Sequence, residues 1–166
     1  MAPTLPLLDG SITLEEALQK ETNILQELTY RKKRMQFAVS LWRRRRDLES
    51  LVALHLGISP QRCNIGDDTK ETTRHWTHGS FNYCIPVDVC DAGGHLETKV
   101  LLRFPLPYKI GEAFHPGNAE EKLRCEAATY LWLQAHCPDV PIANLRGFGF
   151  PSGQSVCIFQ AGCLSA

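Results

Sequence analysis

Three short segments hold side chains and backbone groups suited to binding an anion. The first is His78-Gly79-Ser80-Phe81-Asn82, set between two strand-like runs. Gly79 would let the chain turn tightly, and Ser80 adds a hydroxyl and an exposed N–H, so a hairpin tip here can lay donors along phosphate oxygens. An ordinary tight turn has the same composition. The second is Arg103, which closes the apolar run Val100-Leu101-Leu102. A cation there needs water or an anionic partner, because an unpaired buried charge is very costly. The third is Glu126, flanked by the apolar positions of a helical pattern. Paired with Glu126, Arg103 would fix the helix on the sheet and keep guanidinium donors for a phosphate. A purely structural ion pair, or two snorkelling surface groups, would also fit these residues.

The elements that must position them can be read from periodicity and punctuation. Thr72–Thr77, Phe81–Val89 and Leu96–Phe104 are β-branched or alternating runs, and Asp91-Ala92-Gly93-Gly94 is a hairpin turn by composition. Residues 105–117, rich in Pro and Gly, form loop. Asn118 before Ala119-Glu120-Glu121 caps a helix that runs to about His136. Two short strands follow, at about Asn144–Phe150 and Gln154–Gln160, around a Pro151-Ser152-Gly153 turn.

Ahead of all this lies a different kind of sequence. Residues 1–10 read as a loose leader. Thr13 and Glu16 form a capping box, and no Pro or Gly interrupts Leu14–Leu56 before Gly57 and Pro60 stop the helix. Apolar periodicity weakens across Thr29–Gln36, where a bend or a division into two helices is expected. The domain plan is a leader at 1–10, a helical arm at 11–59, a β-rich domain at 60–160 and an irregular tail at 161–166. The fold class is α+β, with a five-stranded antiparallel sheet and one packed helix behind a long helical arm.

Val100-Leu101-Leu102-Arg103-Phe104-Pro105, Glu126 to Leu133, Asp139-Val140-Pro141-Ile142 and Gly147-Phe148-Gly149-Phe150 occur in the order strand, helix, helix stop, strand. Together they resemble the N-lobe of the aminoglycoside/choline kinase-like phosphotransferase family, over about residues 41–158. The phrases around Gly79–Asn82 and Asn118–Arg124 are most similar to the branch expanded in fungi. The resemblance implies that Gly79, Ser80 and Phe81 cover ATP phosphates, that Arg103 takes the place of a phosphate-gripping lysine, and that Glu126 anchors it. Arginine at 103 departs from the commoner lysine and offers a planar fork in place of a point charge.

Such kinases also need an HxDxxxxN loop and a later acid for Mg²⁺, and residues 1–166 contain neither. The expectation is therefore an N-lobe without its C-lobe, a truncated product inactive alone, with an incomplete ATP site and Mg²⁺ only where a C-lobe is supplied. The acceptor, a small molecule in a full-length relative, is not encoded.

Composition sets the remaining bounds. With 43% hydrophobic residues and 18 basic against 18 acidic side chains, the chain is globular and carries no overall attraction to nucleic acid or membrane. Seven cysteines without a CxxC pair fit free thiols in a reducing cytoplasm. No apolar run approaches the roughly 20 residues of a membrane span. His75 and His78 would face opposite sides of a strand and share no metal; His115 is loop; Cys84 and Cys90 are packing residues. The basic run Arg31–Arg46, which holds no acid, reads as a solvated face, or else as a surface for a membrane or nucleic acid. The alternative function is an interaction module that uses this arm and exposed apolar surface to associate, with itself among others. On the kinase-like reading, we expect no γ-phosphate transfer by the 166-residue chain; turnover of labelled ATP above a no-protein control, abolished by Arg103→Ala, would refute it.

Overall fold

The computed structural model of the protein describes residues 3–66 and 76–158. The chain divides into two compact units, Met1–Arg45 and Arg46–Ala166. It is mixed α and β throughout, with small antiparallel sheets and, among the described residues, four α-helices.

The first unit opens with a two-stranded antiparallel hairpin, β1 (Thr4–Pro6) and β2 (Ser11–Thr13), where a loose leader was expected. Helix α1 (Leu14–Leu18) begins with the expected capping box: the Thr13 hydroxyl accepts from the Glu16 N–H, and the Glu16 carboxylate accepts from the Thr13 N–H. The long helical stretch then breaks, but not across Thr29–Gln36. It breaks at residues 19–23, where Asn23 caps α2 (Ile24–Arg43), and again at Arg44. Polar residues at 29–36 weaken the apolar pattern without removing helix propensity, since Arg, Lys, Met and Gln are all good helix formers.

Helix α3 (Arg45–Leu56) belongs from Arg46 onward to the second unit, which moves the unit boundary well upstream of the expected residue 59. Two observations tie it there. The buried Glu49 carboxylate accepts the Ile65 N–H at 3.0 Å, and His55 meets Ser155, ring Nε2 to Oγ, at 2.9 Å. Gly57, at φ +67°, ends the helix as its position predicted.

The main sheet is built on β5 (Asn82–Cys90). One of its edges pairs with β3 (Cys63–Asn64) and β4 (Thr77–His78), and the other with β6 (Leu96–Pro105). Strand β3 was not expected; of the expected strand Thr72–Thr77, residues 72–75 lie outside the described residues and Thr77 falls in β4. The β5–β6 turn is the one foreseen at Asp91, whose carboxylate accepts from the Gly93 and His95 N–H groups. Strict alternation in β5 buries Tyr83, Ile85, Val87 and Val89 on one face. Ile85 and Val87 are fully enclosed, and burial of each contributes on the order of 1.5–3 kcal/mol.

Helix α4 (Asn118–His136) follows a turn-rich segment. Asn118 is not its cap. Gly117 occupies that position at φ +106°, and Glu112 reaches back to accept the Gly117 and Ala119 N–H groups, which lowers its pKa. Asn118 instead donates to the Ile110 carbonyl oxygen.

The last strands, β7 (Gly147–Gly149) and β8 (Ser155–Cys157), form their own hairpin around Gly153, separate from the main sheet. The continuous five-stranded sheet that was expected is therefore a four-stranded sheet plus a hairpin; the order of the strands is legible in sequence, their number and pairing are not. The hairpin is fastened by side chains: His55 from α3, and Arg124 of α4, whose guanidinium lies 4.3 Å from the Phe150 ring centre. A methyl group at Gly147 would strike the His55 imidazole and the Val156 carbonyl oxygen. Gly147→Ala should therefore cost about 1–3 kcal/mol by overpacking, read as a lower urea midpoint, while Gly149→Ala, with only ordinary contacts around it, should cost less.

Candidate functional site

Alternation in β5 and β6 sorts the sheet's side chains before any site is considered. Opposite the buried face stand Asn82, Cys84, Pro86 and Asp88, in register with Pro105, Arg103, Leu101 and Lys99. Lys99 and Asp88 form an ion pair across the strands at 3.0 Å. Helix α4 packs toward this polar face: Asn82 Nδ2 donates to the Glu126 carboxylate at 3.1 Å, and the Arg103 guanidinium lies 3.5 Å from the Tyr130 hydroxyl.

Glu126 is thus turned inward, as its helical neighbours suggested, but its partner is different. Among the described residues there is no direct Arg103–Glu126 ion pair. The carboxylate is taken by Lys122, one helical turn earlier, and by Asn82. Both compete for the oxygen that Arg103 was expected to hold, and Lys122 has the shorter route because positions four apart share a helix face. Lys preceding Glu is the less favourable order for such a pair; the Asn82 amide adds a second donor. Arg103 still acts at longer range. Burial pushes the Glu126 carboxyl up, but the Lys122 and Asn82 hydrogen bonds and the charges of Lys122 and Arg103 bring it below its ordinary value.

Gly79, Ser80 and Phe81 link β4 to β5 and are exposed. The Gly79 N–H donates to the Asn82 carbonyl oxygen at 2.9 Å, closing the turn. This glycine does not have a left-handed backbone, and a Cβ placed on it would meet nothing. Its conformational freedom is therefore not what the turn uses. Ser80 and Phe81 form the tip, and the Phe81 carbonyl oxygen accepts from Leu106 N–H at 2.8 Å, holding the tip to the end of β6. Arg103 is two residues from the Asn82–Pro105 register pair, about 7 Å along the strand at ordinary strand rise.

The pieces that could meet a polyanion are the Arg103 fork, which is exposed and has its carboxylate neighbour already satisfied by others, and the exposed tip at Ser80 and Phe81. Asn82 adds a further feature: its Oδ1 is buried with no donor. A buried acceptor left unpaired is costly, and a ligand or water donor would relieve it. The exposed Arg103 fork can meet an anion through side-chain charge, whereas the Asn82 oxygen would take a donor, which an ionised phosphate oxygen is not.

Lys122 was missed as a site residue by reading the sequence, and Asn82 was included in the loop segment without a role of its own. Lys122 had a signal, its four-residue spacing from Glu126. Asn82 had only its place after the Gly79–Phe81 motif. Among the described residues no group of three His, Cys, Asp or Glu side chains is arranged to hold a metal ion, and no helix is long and apolar enough to cross a membrane. His75 lies outside the described residues. Comparison of the chain with protein-family models, with curated proteins and with solved structures returned no match.

A carboxyl held below its free value stabilises the folded state at pH values above the unfolded pKa, and that stability is lost as pH falls through the folded value. Glu126→Gln should therefore flatten the acid limb of the stability curve below about pH 4.3, the ordinary Glu value. Urea denaturation of both proteins from pH 3 to pH 7 checks this; parallel curves would show that Glu126 carries no such linkage.

Proposed function

We propose that the second unit is the nucleotide-holding lobe of an ATP-dependent small-molecule phosphotransferase, acting with a catalytic lobe that residues 1–166 do not supply. The observation that carries this reading is Arg103: an exposed guanidinium on the polar sheet face, beside an inward Glu126 and opposite Cys84, three residues from Phe81 at the exposed loop tip. The element order supports it. Strands β3/β4, β5 and β6 precede α4, and β7 and β8 follow it, the order in which kinase N-lobes place a phosphate-covering loop, a basic strand residue and a helix glutamate.

On this reading ATP would supply the transferable phosphoryl group, with Mg²⁺ held by residues outside this chain. Ser80 and Phe81 cover the phosphates, Gly79 keeps the loop free of a side chain on its approach, and Arg103 grips an oxygen pair. Glu126, with Lys122 and Asn82, keeps α4 against the sheet and sets the field in which Arg103 sits. The free thiols of the six described cysteines suit a reducing, cytoplasmic setting.

A second reading, an interaction module, is favoured by the apolar residues left open in the same unit: Leu101, Leu131, Trp132 and Val156, with Trp132 57% exposed. Exposed apolar side chains, where they adjoin, mark surfaces that meet a partner. Calorimetric titration separates the two. MgATP should bind the full chain saturably, Arg103→Ala should weaken it at least tenfold without lowering thermal stability, and Arg103→Lys should recover part of the loss. No saturable binding at millimolar MgATP would leave the interaction module as the reading.

A further inference from the structure

The exposed side of α2 in the first unit plays no part in the site above. Leu25, Met35 and Val39 are 79%, 69% and 46% exposed. At 3.6 residues per turn these three share one arc of about 80° with Lys32 and Arg43. Arg31 and Lys33 stand on the two flanks of that arc, and Arg44 caps the helix end. Arg31, Lys32, Lys33, Arg43 and Arg44 are all exposed, and among the described residues none of them is in an ion pair. The sequence suggested a solvated face that balances the upstream acids. The structure pairs none of these cations with an acid among the described residues, Glu27 one turn before Arg31 included, and puts aliphatic side chains among them.

From this we infer that the outer face of α2 is a peripheral docking surface for an anionic lipid bilayer. The aliphatic arc enters the boundary between headgroups and acyl chains while the lysines and arginines snorkel to the phosphate level. A cluster of Lys and Arg on such a helix meets the negative potential of an anionic leaflet, and each cation near the surface adds to the attraction. The whole-chain charge of zero does not oppose this, because screening confines the interaction to charges within a Debye length of the surface, about 8–10 Å. Charge complementarity selects an anionic partner, and the aliphatics select a bilayer over nucleic acid, whose phosphates would use the cations but gain nothing from Leu25, Met35 and Val39.

The inference is independent of the phosphotransferase reading, and its test uses no nucleotide. The full chain is sedimented with vesicles of phosphatidylcholine alone and with vesicles containing 30% phosphatidylserine, at low and at physiological salt. We expect binding to the serine-lipid vesicles only, weakened by salt. Arg31→Glu/Lys32→Glu/Lys33→Glu should reduce it at least tenfold, and Leu25→Ser/Met35→Ser/Val39→Ser severalfold with the charge intact. Circular dichroism on both variants, and on the milder Arg43→Gln/Arg44→Gln, confirms that each is folded. Absence of binding to anionic vesicles at low salt overturns the inference. So does equal binding to duplex DNA that depends on the cations but not the aliphatics, and so does a vesicle-free dimer that the serine variant dissociates.

Discussion

Everything in the second unit depends on strand β5 being paired along both edges. Pairing fixes its alternation, and alternation decides which side chains are spent on the core and which remain for chemistry. Tyr83, Ile85, Val87 and Val89 go to the buried face. Asn82 and Cys84, and with them Arg103 across the register, are left on the other. A one-residue slip would exchange the two sets, burying Arg103 and exposing Ile85 and Val87. The core therefore does more than stabilise the sheet: it holds the cation on the face where an anion can reach it. The irregularity in the β5–β6 register falls between Val89 and Cys90, at the far end of the strand, where it leaves the Arg103 end in register.

The electrostatics of the site follow from a competition for one carboxylate. A half-buried Glu126 must be compensated, and three groups lie close enough to contribute. The two that win, Lys122 and Asn82, do so through geometry: one shares a helix face with the glutamate and the other is presented by the first residue of β5. Arg103 is left with a long contact to Tyr130. A guanidinium consumed in a direct ion pair would have fewer donors to offer; one held nearby by field alone retains its fork.

The sequence was most legible where a rule acts over a few residues. The capping box at Thr13 and Glu16, the Asp91 turn, the Gly57 stop and the span of α4 each rest on contacts within about five positions, and each is present. Readings that needed distant partners fared less well. The Asn118 cap was displaced by Glu112, six residues upstream, because that carboxylate could satisfy two helix N–H groups at once. The β7–β8 hairpin stands apart from the main sheet, and His55, about 90 residues earlier in the chain, is seated against Gly147. Strand β3 was hidden because two residues are too few to show a period. Of the candidate site, Arg103, Glu126 and the Gly79–Phe81 loop were placed on the right elements. What joins them was not legible, since an Asn gives no sign of which way its amide will point.

Glu112 has a consequence for selectivity. The first turn of a helix is the usual place for a backbone to receive a phosphate, because free N–H groups and the helix dipole converge there. In α4 that seat is already filled by the chain's own carboxylate. An incoming phosphate near this helix would have to displace a tethered competitor, and side-chain cations on the sheet are the less contested destination. Recognition built on such cations ranks ligands by charge more than by shape and weakens steeply with added salt. An internal anion at one end of α4 thus already occupies backbone donors that an external anion would otherwise use.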